Sequence, residues 1–354
     1  MSVFSAPSFD QHELVAFHSD ADSGLKAIVA VHNSNLGPAV GGCRMFPYMS
    51  DEAALDDVLR LSRGMTYKSA LAGLPLGGGK AVIVGDPHRH KNRELLLAMG
   101  RFIDSLGGRY ITAEDSGTNV ADMKVIGEQT TFVSGATSRQ RFGGDPSPYT
   151  AYGVYCGIRA ALSFQRGSNS LQGVRVAIQG AGSVGFHLAE RLLRQGADVI
   201  VADVNAANLA RAERLGARVI APEELLAVRC DILAPCAMGA VLTDEVIDGL
   251  RADIVAGAAN NQLQAAGQAE YLRQRGVLYA PDFVINAGGI IDVYYQQQGA
   301  SAEKSERHVE QIGEVLTQIF QRAEHEQRST HSVAETMAES IFKQGDKTGL
   351  RVPA

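Results

Sequence analysis

A six-residue run, Gly180-Ala-Gly-Ser-Val-Gly185, limits what this chain can fold into more than any other feature. The preceding Val174-Arg-Val-Ala-Ile-Gln179 reads as a strand, and the glycine run opens a helix reaching about Gln195. The next strand, Asp198-Val-Ile-Val-Ala-Asp203, ends in an acid 18 residues after Gly185. Alone, Gly-x-Gly-x-x-Gly is a weak signal. Between a strand and a helix, with an acid at that distance, it marks a dinucleotide-binding βαβ unit. Its glycines permit a tight turn and let a pyrophosphate rest on the helix N-terminus, so Gly180, Gly182, Ser183, Val184 and Gly185 are candidate cofactor residues. Asp203 would accept from ribose hydroxyls and repel a 2′-phosphate, which favours NAD. Further βα units follow at Cys230-Asp-Ile-Leu-Ala-Pro, Asp253-Ile-Val-Ala-Gly-Ala and Val277-Leu-Tyr-Ala-Pro. Their ends supply small or polar residues suited to a cofactor cleft, notably Cys236, Ala237, Asn260 and Asn261.

A second stretch, Arg63–Lys80, carries Lys68 and Lys80 among Met65, Tyr67, Ala70, Leu71, Leu74 and Leu76. A lysine in apolar surroundings is held charged only at a cost, and desolvation lowers its pKa. Three glycines before Lys80 let backbone or ligand approach closely. One lysine suits a substrate carboxylate and the other a base; the alternative is a pair of snorkelling lysines on a cleft wall. A phosphate-binding loop is excluded, because that motif needs glycine where Leu74 stands and Ser or Thr where Ala81 stands.

The chain of 354 residues, 45% hydrophobic and 20% charged, suits a globular protein of two domains. A net charge of −6 gives no electrostatic footprint for nucleic acid. No apolar run approaches membrane-helix length, and the N-terminus lacks a signal-peptide pattern. Cys43, Cys156, Cys230 and Cys236 show no CxxC spacing, and the nine histidines no metal-ligand spacing. A cytoplasmic, metal-free protein is expected.

Before the glycine run, a strand is expected at 25–32 and a Gly pair follows it at Gly41-Gly42. A helix is expected from Asp51 to about Gly64, and a strand after Lys80. The helix Asn92–Leu106 should then end at Gly107-Gly108. A further strand delivers Glu114-Asp115 to its C-terminal end, where open α/β sheets handle ligands. Asp115 reads as a proton-relay carboxylate or as a helix cap. The Gly/Ser/Pro-rich segment 134–148 marks a linker. The expected domains are therefore residues 1–147, joined by a C-terminal helix within 330–354, and a Rossmann-type NAD-binding domain at 148–329. The fold class is α/β, with an active site in the cleft between an N-terminal substrate domain and the NAD domain. Val309, Ile312, Val315, Leu316, Ile319 and Phe320 form one helical stripe, core or subunit interface.

These residues resemble the glutamate/leucine/phenylalanine/valine dehydrogenase family over nearly the whole chain. The matching motifs include Gly41-Gly-Cys-Arg44, Gly64-Met-Thr-Tyr-Lys68, Gly77-Gly-Gly-Lys80, Gly108–Asp115, Pro146-Ser-Pro, Thr150-Ala-Tyr-Gly, Ala259–Leu263 and Pro281–Gly289. The resemblance implies NAD-coupled oxidative deamination of an L-amino acid to a 2-oxo acid and ammonia. It implies Lys68 on the substrate carboxylate, helped by Gly41, Gly42, Met65 and Asn261. It also implies Lys80 as general base, Asp115 assisting proton transfer, and Thr150 and Asn286 among the cofactor residues. Homo-oligomers, dimers or octamers, are implied as well.

Glutamate-specific relatives place a lysine where this chain has Val40 and a serine where it has Val293. A pocket of Val40, Ala113, Ile290 and Val293 would leave a distal carboxylate unpaired, at several kcal/mol. Branched aliphatic substrates (leucine, valine, isoleucine) are expected, with phenylalanine or another aromatic acid as the alternative. One methylene is worth only about 1–3 kcal/mol in such a pocket. A reading of another class is a non-catalytic NAD sensor, which would not need Lys68, Lys80 and Asp115 together.

Overall fold

In the computed structural model, which describes residues 3–134, 145–237 and 239–344, the chain divides into two units. The first comprises Met1–Gly143, Gln296–Gly299 and Ala338–Ala354, and the second Gly144–Tyr295 and Ala300–Met337. The division differs from the expected limits at three points: residues 144–147 go with the second unit, 296–299 with the first, and 330–337 with the second. Most of the expected linker, 135–144, lies outside the described residues, as do 345–354 of the expected C-terminal segment.

The first unit begins with β1 (Leu14–Asp20), β2 (Leu25–Asn33), β3 (Ala39–Phe46) and α1 (Asp51–Leu71). It continues with β4 (Gly77–Val84), α2 (Arg93–Ser105), β5 (Tyr110–Glu114) and α3 (Val120–Ile126). Its sheet runs β1-β2-β4-β3-β5, with β1 and β4 antiparallel to β2 and the β4-β3-β5 side parallel. Strand side chains alternate, so each face has its own core. On one face Ile28, Ala30 and Val82 meet Ala54, Leu55, Val58 and Leu59 of α1. On the other, Val29, Cys43, Met45 and Ile83 meet Leu95, Met99 and Ile103 of α2 and Met123 of α3. Each fully buried aliphatic side chain contributes about 1.5–3 kcal/mol.

Helix α1 starts as the sequence suggests. Ser50 caps it by accepting from the Ala53 amide at 3.2 Å, and Asp51 and Glu52 sit at the positive end of the dipole. It does not stop at Gly64 but runs to Leu71. Thr66, Tyr67, Ala70 and Leu71 are buried beyond the glycine, and that packing outweighs the roughly 1 kcal/mol a mid-helix glycine costs. Lys68 is consequently a residue of the last turn of a long helix.

The second unit contains α4 (Ser147–Arg166), β6 (Arg175–Gln179), α5 (Ser183–Arg194), β7 (Asp198–Ala202), α6 (Ala206–Arg214) and β8 (Arg218–Val219). Then come α7 (Pro222–Leu225), β9 (Ile232–Pro235), α8 (Asp244–Gly249), β10 (Ile254–Val255), α9 (Gly267–Gln274) and β11 (Leu278–Tyr279). Helices α10 (Asp282–Ile285), α11 (Gly288–Gln297), α12 (Ala302–Glu326) and α13 (Thr330–Gln344) complete it, α11 and α13 each running on into the first unit. The sheet is parallel throughout in the order β11-β10-β9-β6-β7-β8. Strand order reverses between β6 and β9, the switch point at which doubly wound sheets bind ligands. Most of the apolar stripe of α12 is core: Val309, Ile312, Leu316, Ile319 and Phe320 are buried within the chain, and Val315 is half-buried.

The end of α13 returns to the first unit. Phe342 is buried there, its ring 5.3 Å from that of Tyr67, and its carbonyl accepts from Asn35 Nδ2 at 3.0 Å. The Tyr67 hydroxyl donates to Glu339 Oε1 at 2.8 Å.

Candidate active site

In the first unit, register brings the chemistry to one sheet face. Ala30 pairs with Lys80, Val40 with Gly78, and Gly42 with Ala113. Val40, Gly42, Arg44, Lys80 and Ala113 therefore share the face on which α1 packs. Lys80 is 5% exposed, and its Nζ forms an ion pair with Asp115 Oδ2. Burial, then the charges of Arg44 and Lys68, push the Lys80 amine down to about 7. A lysine so placed can exist as a free amine near neutrality, as a base must. Lys68 and Met65 lie half-buried on α1, within the turns that lead to its C-terminus.

Asp115 is not a helix cap; Asn119 caps α3, accepting from the Ala121 and Asp122 amides. The Asp115 side chain instead sits over β3, where a Cβ on Gly42 would stand 2.7 Å from both its Cβ and Oδ2. The Gly41 carbonyl accepts from the buried Tyr110 hydroxyl at 2.6 Å, which fixes the strand beneath.

Three residues that the sequence did not single out as functional join this face. Arg44 Nε lies 3.6 Å from Asp115 Oδ1, and Arg44 Nη1 donates to Asp57 Oδ2 at 2.9 Å. Tyr48 donates its hydroxyl to that same Asp57 oxygen at 2.5 Å. Arg44 was visible within a motif; its acid partner on α1 was not, because packing alone brings the two together.

The second unit holds the candidate cofactor residues. Gly180, φ +93°, turns the chain after β6, and Gly182 precedes α5 with no side-chain cap. A Cβ on Gly182 would meet nothing within 4 Å, so space lies open beside the uncapped amides of Ser183, Val184 and Gly185. Asp203 follows β7; its Oδ2 accepts from the Ala181 amide at 2.6 Å and from Asn208 Nδ2 at 3.2 Å. Ala237 packs against Gly180, and the Cys236 amide donates to the Gln179 carbonyl at 2.7 Å. Desolvation pushes the Cys236 thiol up to about 12, so it stays protonated.

Asn286 Nδ2 donates to the Ala258 carbonyl at 3.0 Å and to Asn260 Oδ1 at 2.8 Å. Asn286 Oδ1 is buried without a partner among the described residues. Thr150, in the first turn of α4, donates to the Pro146 carbonyl at 3.2 Å. Asp145, which the sequence did not flag, accepts from the Ser183 hydroxyl at 2.6 Å. Asn261 takes a left-handed backbone, φ +51°. Ile290 and Val293 are half-buried on α11 of this unit, whereas Val40 and Ala113 belong to the first. An open glycine turn, uncapped helix amides, an acid at the ribose position and an orphaned buried acceptor fit a dinucleotide. Among the described residues no cluster of metal-ligating side chains occurs, and no helix is long and apolar enough to cross a membrane.

Residues 11–132 match the model of the Glu/Leu/Phe/Val dehydrogenase dimerisation domain, and residues 203–344 that of the Glutamate/Leucine/Phenylalanine/Valine dehydrogenase domain. The chain belongs to this family. It is an NAD-dependent amino acid dehydrogenase acting on a CH–NH2 group, which sets aside the non-catalytic sensor. Leucine dehydrogenase of Geobacillus stearothermophilus is 47% identical over 340 residues, 96% of this chain and 93% of the relative. Valine dehydrogenase of Streptomyces virginiae is 45% identical over 332 residues, 93% of each. The crystal structure of L-tryptophan dehydrogenase from Nostoc punctiforme superposes with a TM-score of 0.81 at 42% identity, covering 95% of this chain and 97% of that one.

Proposed function

We propose that this family member oxidatively deaminates a branched aliphatic L-amino acid (leucine, valine or isoleucine) to the 2-oxo acid and ammonia, with Lys80 as its base. The observation that carries the mechanism is the buried Lys80, paired with Asp115 and held near neutrality. Lys68 binds the substrate carboxylate, helped by the backbone at Gly41 and Gly42, by Met65 and by Asn261. NAD, held by Gly180, Gly182, Ser183, Val184, Gly185, Asp203, Thr150, Cys236, Ala237, Asn260 and Asn286, supplies the hydride acceptor for Cα. Lys80, as the free amine, takes a proton from the water that adds to the iminium carbon. Lys80 then returns that proton to the amino group, with Asp115 assisting the transfer as a carboxylate, and takes up the hydroxyl proton as the C–N bond breaks, which leaves the 2-oxo acid and ammonia.

Val40 is apolar and 3% exposed, and Ala113 shares its sheet face. Neither offers a partner to a distal carboxylate, whose burial would cost several kcal/mol. That supports an aliphatic preference, in keeping with the leucine and valine dehydrogenase relatives. Ala113 leaves less room than a glycine would for an aromatic ring, so aromatic acids are the second reading, supported by the likeness to a tryptophan dehydrogenase. We further propose a cytoplasmic homo-oligomer, a dimer or octamer. The match of 11–132 to a dimerisation domain and the edge strand β1, with Phe17 56% exposed, support it.

Initial rates of NADH formation with leucine, valine, isoleucine, phenylalanine, tryptophan and glutamate test the reading. Branched aliphatic acids should give the highest kcat/KM, and Lys80→Ala should abolish turnover of all. Preference for an aromatic acid would replace the first reading with the second. A Lys80→Ala variant with wild-type rates would remove the base.

A further inference from the structure

We propose that Arg44 is a positioning residue for this reaction: clamped by Asp57 and Tyr48, it serves as the permanent counter-charge of Asp115, so that Lys80 can lose and regain its proton while Asp115 stays ionised and in place. The inference rests on the reading of Lys80 as base.

The geometry is a chain of alternating charge. Asp115 offers Oδ2 to Lys80 and Oδ1 to Arg44, 3.6 Å from Nε. Asp115 Oδ1 also accepts from the Ser116 amide at 2.6 Å. Arg44 is in turn held by Asp57, and Asp57 by Tyr48. Arg44 Nε is buried and makes no hydrogen bond among the described residues. At 3.6 Å it is too far from Asp115 for one. A shift of well under an ångström in the carboxylate would complete the bond.

The chemistry needs such a group. A base works only as the free amine, yet the moment Lys80 is neutral, Asp115 loses the cation beside it. A carboxylate left buried without a counter-charge takes up a proton or moves toward water. Arginine never gives up its own proton. Arg44 is therefore a cation that survives the step that discharges Lys80, and it repels the protonated lysine as well. The groups that act on Lys80 are Arg44 and Cys43 of β3, Lys68 and Asp57 of α1, and Asp115 itself. Of these, Arg44 is a cation that also lies against Asp115.

The test is the pH profile of kcat/KM for wild type, Arg44→Gln, Arg44→Lys, Asp57→Asn and Lys80→Ala. Without the guanidinium, Lys80 holds its proton more tightly, so in Arg44→Gln the acid limb should move up by about one pH unit or more. Its kcat at neutral pH should fall at least about tenfold, with KM changed far less. Arg44→Lys should keep the limb near its wild-type position and recover much of kcat. Asp57→Asn, which removes a charge that raises the Lys80 pKa, should leave the limb where it is or lower, with kcat between wild type and Arg44→Gln as the clamp loosens. Where a variant turns over too slowly, the pH dependence of Lys80 acetylation, read by mass spectrometry, reports the same shift. Equal losses in Arg44→Gln and Arg44→Lys, with the limb and the acetylation midpoint unmoved, would reduce Arg44 to a packing residue and overturn the proposal while leaving Lys80 as base. An acid limb that persists in residual Lys80→Ala activity would overturn both.

Discussion

The Asp115 carboxylate occupies the space that a side chain at position 42 would take: a Cβ there would lie 2.7 Å from Oδ2. Gly42→Ala should therefore push Asp115 off Lys80 without touching either charged group. We expect kcat to fall about 100-fold, as small misplacements at a reacting centre do. Folding stability should drop by about 1–3 kcal/mol, because the Glu114 carbonyl, at 2.8 Å, also crowds the new methyl. Steady-state rates and a urea titration measure the two effects; a variant within twofold of wild-type kcat would show that Asp115 is not so constrained.

Two buried histidines give the protein an acid limit. His32, its ring 5.0 Å from that of His12, is pushed from 6.5 to about 4 by burial and then by its neighbour, and His12 is lowered by burial too. In the unfolded chain His32 gains a proton as pH falls through 6.5, whereas the folded form stays neutral until about 4. The unfolded state thus binds more protons in that window, and stability should decline there by up to about 1.4 kcal/mol per pH unit for this group. Urea midpoints taken between pH 7 and 4 should fall more gently in His32→Gln than in wild type. Parallel slopes would mean that His32 is not the titrating group.

Asp203 should decide the cofactor. Its carboxylate is held toward the glycine turn by the Ala181 amide and by Asn208. Hydrogen bonds to a charged group contribute about 1.5–3 kcal/mol, so Asp203→Ser should raise KM for NAD about 10- to 100-fold. Relative use of NADP should rise, because the charge that repels a 2′-phosphate is gone. Saturation curves with both cofactors check this, and an unchanged NAD/NADP ratio would contradict it.

Legibility in the sequence followed the range of the interaction. The turn from Gly180 to Gly185 declares itself because strand, glycines, helix and acid follow one another in the chain, and β6, α5, β7 and the parallel sheet appear where that reading puts them. Lys80 stood out because its apolar frame is also local. The clamp of Arg44 by Asp57 did not, since the two are 13 residues apart on a strand and a helix and meet only through packing. Strand β1 was missed as well: Leu14-Val-Ala-Phe-His-Ser-Asp20 lacks clean alternation and is specified by its antiparallel register with β2. The length of α1 was underread because a glycine stops helices in isolation more readily than in a packed core.

The last turns of α13 bear on the order in which this protein can be made. Tyr67, His32 and Asn35 of the first unit find their partners in Glu339 and Phe342, more than 250 residues later in the chain. On a ribosome, chains emerge N-terminus first and domains tend to fold as they appear. The first unit emerges early yet cannot close over Tyr67 until the second has been synthesised in full. A nascent chain halted before residue 338 would present an aromatic, half-finished surface, and would depend on chaperones for as long as translation paused.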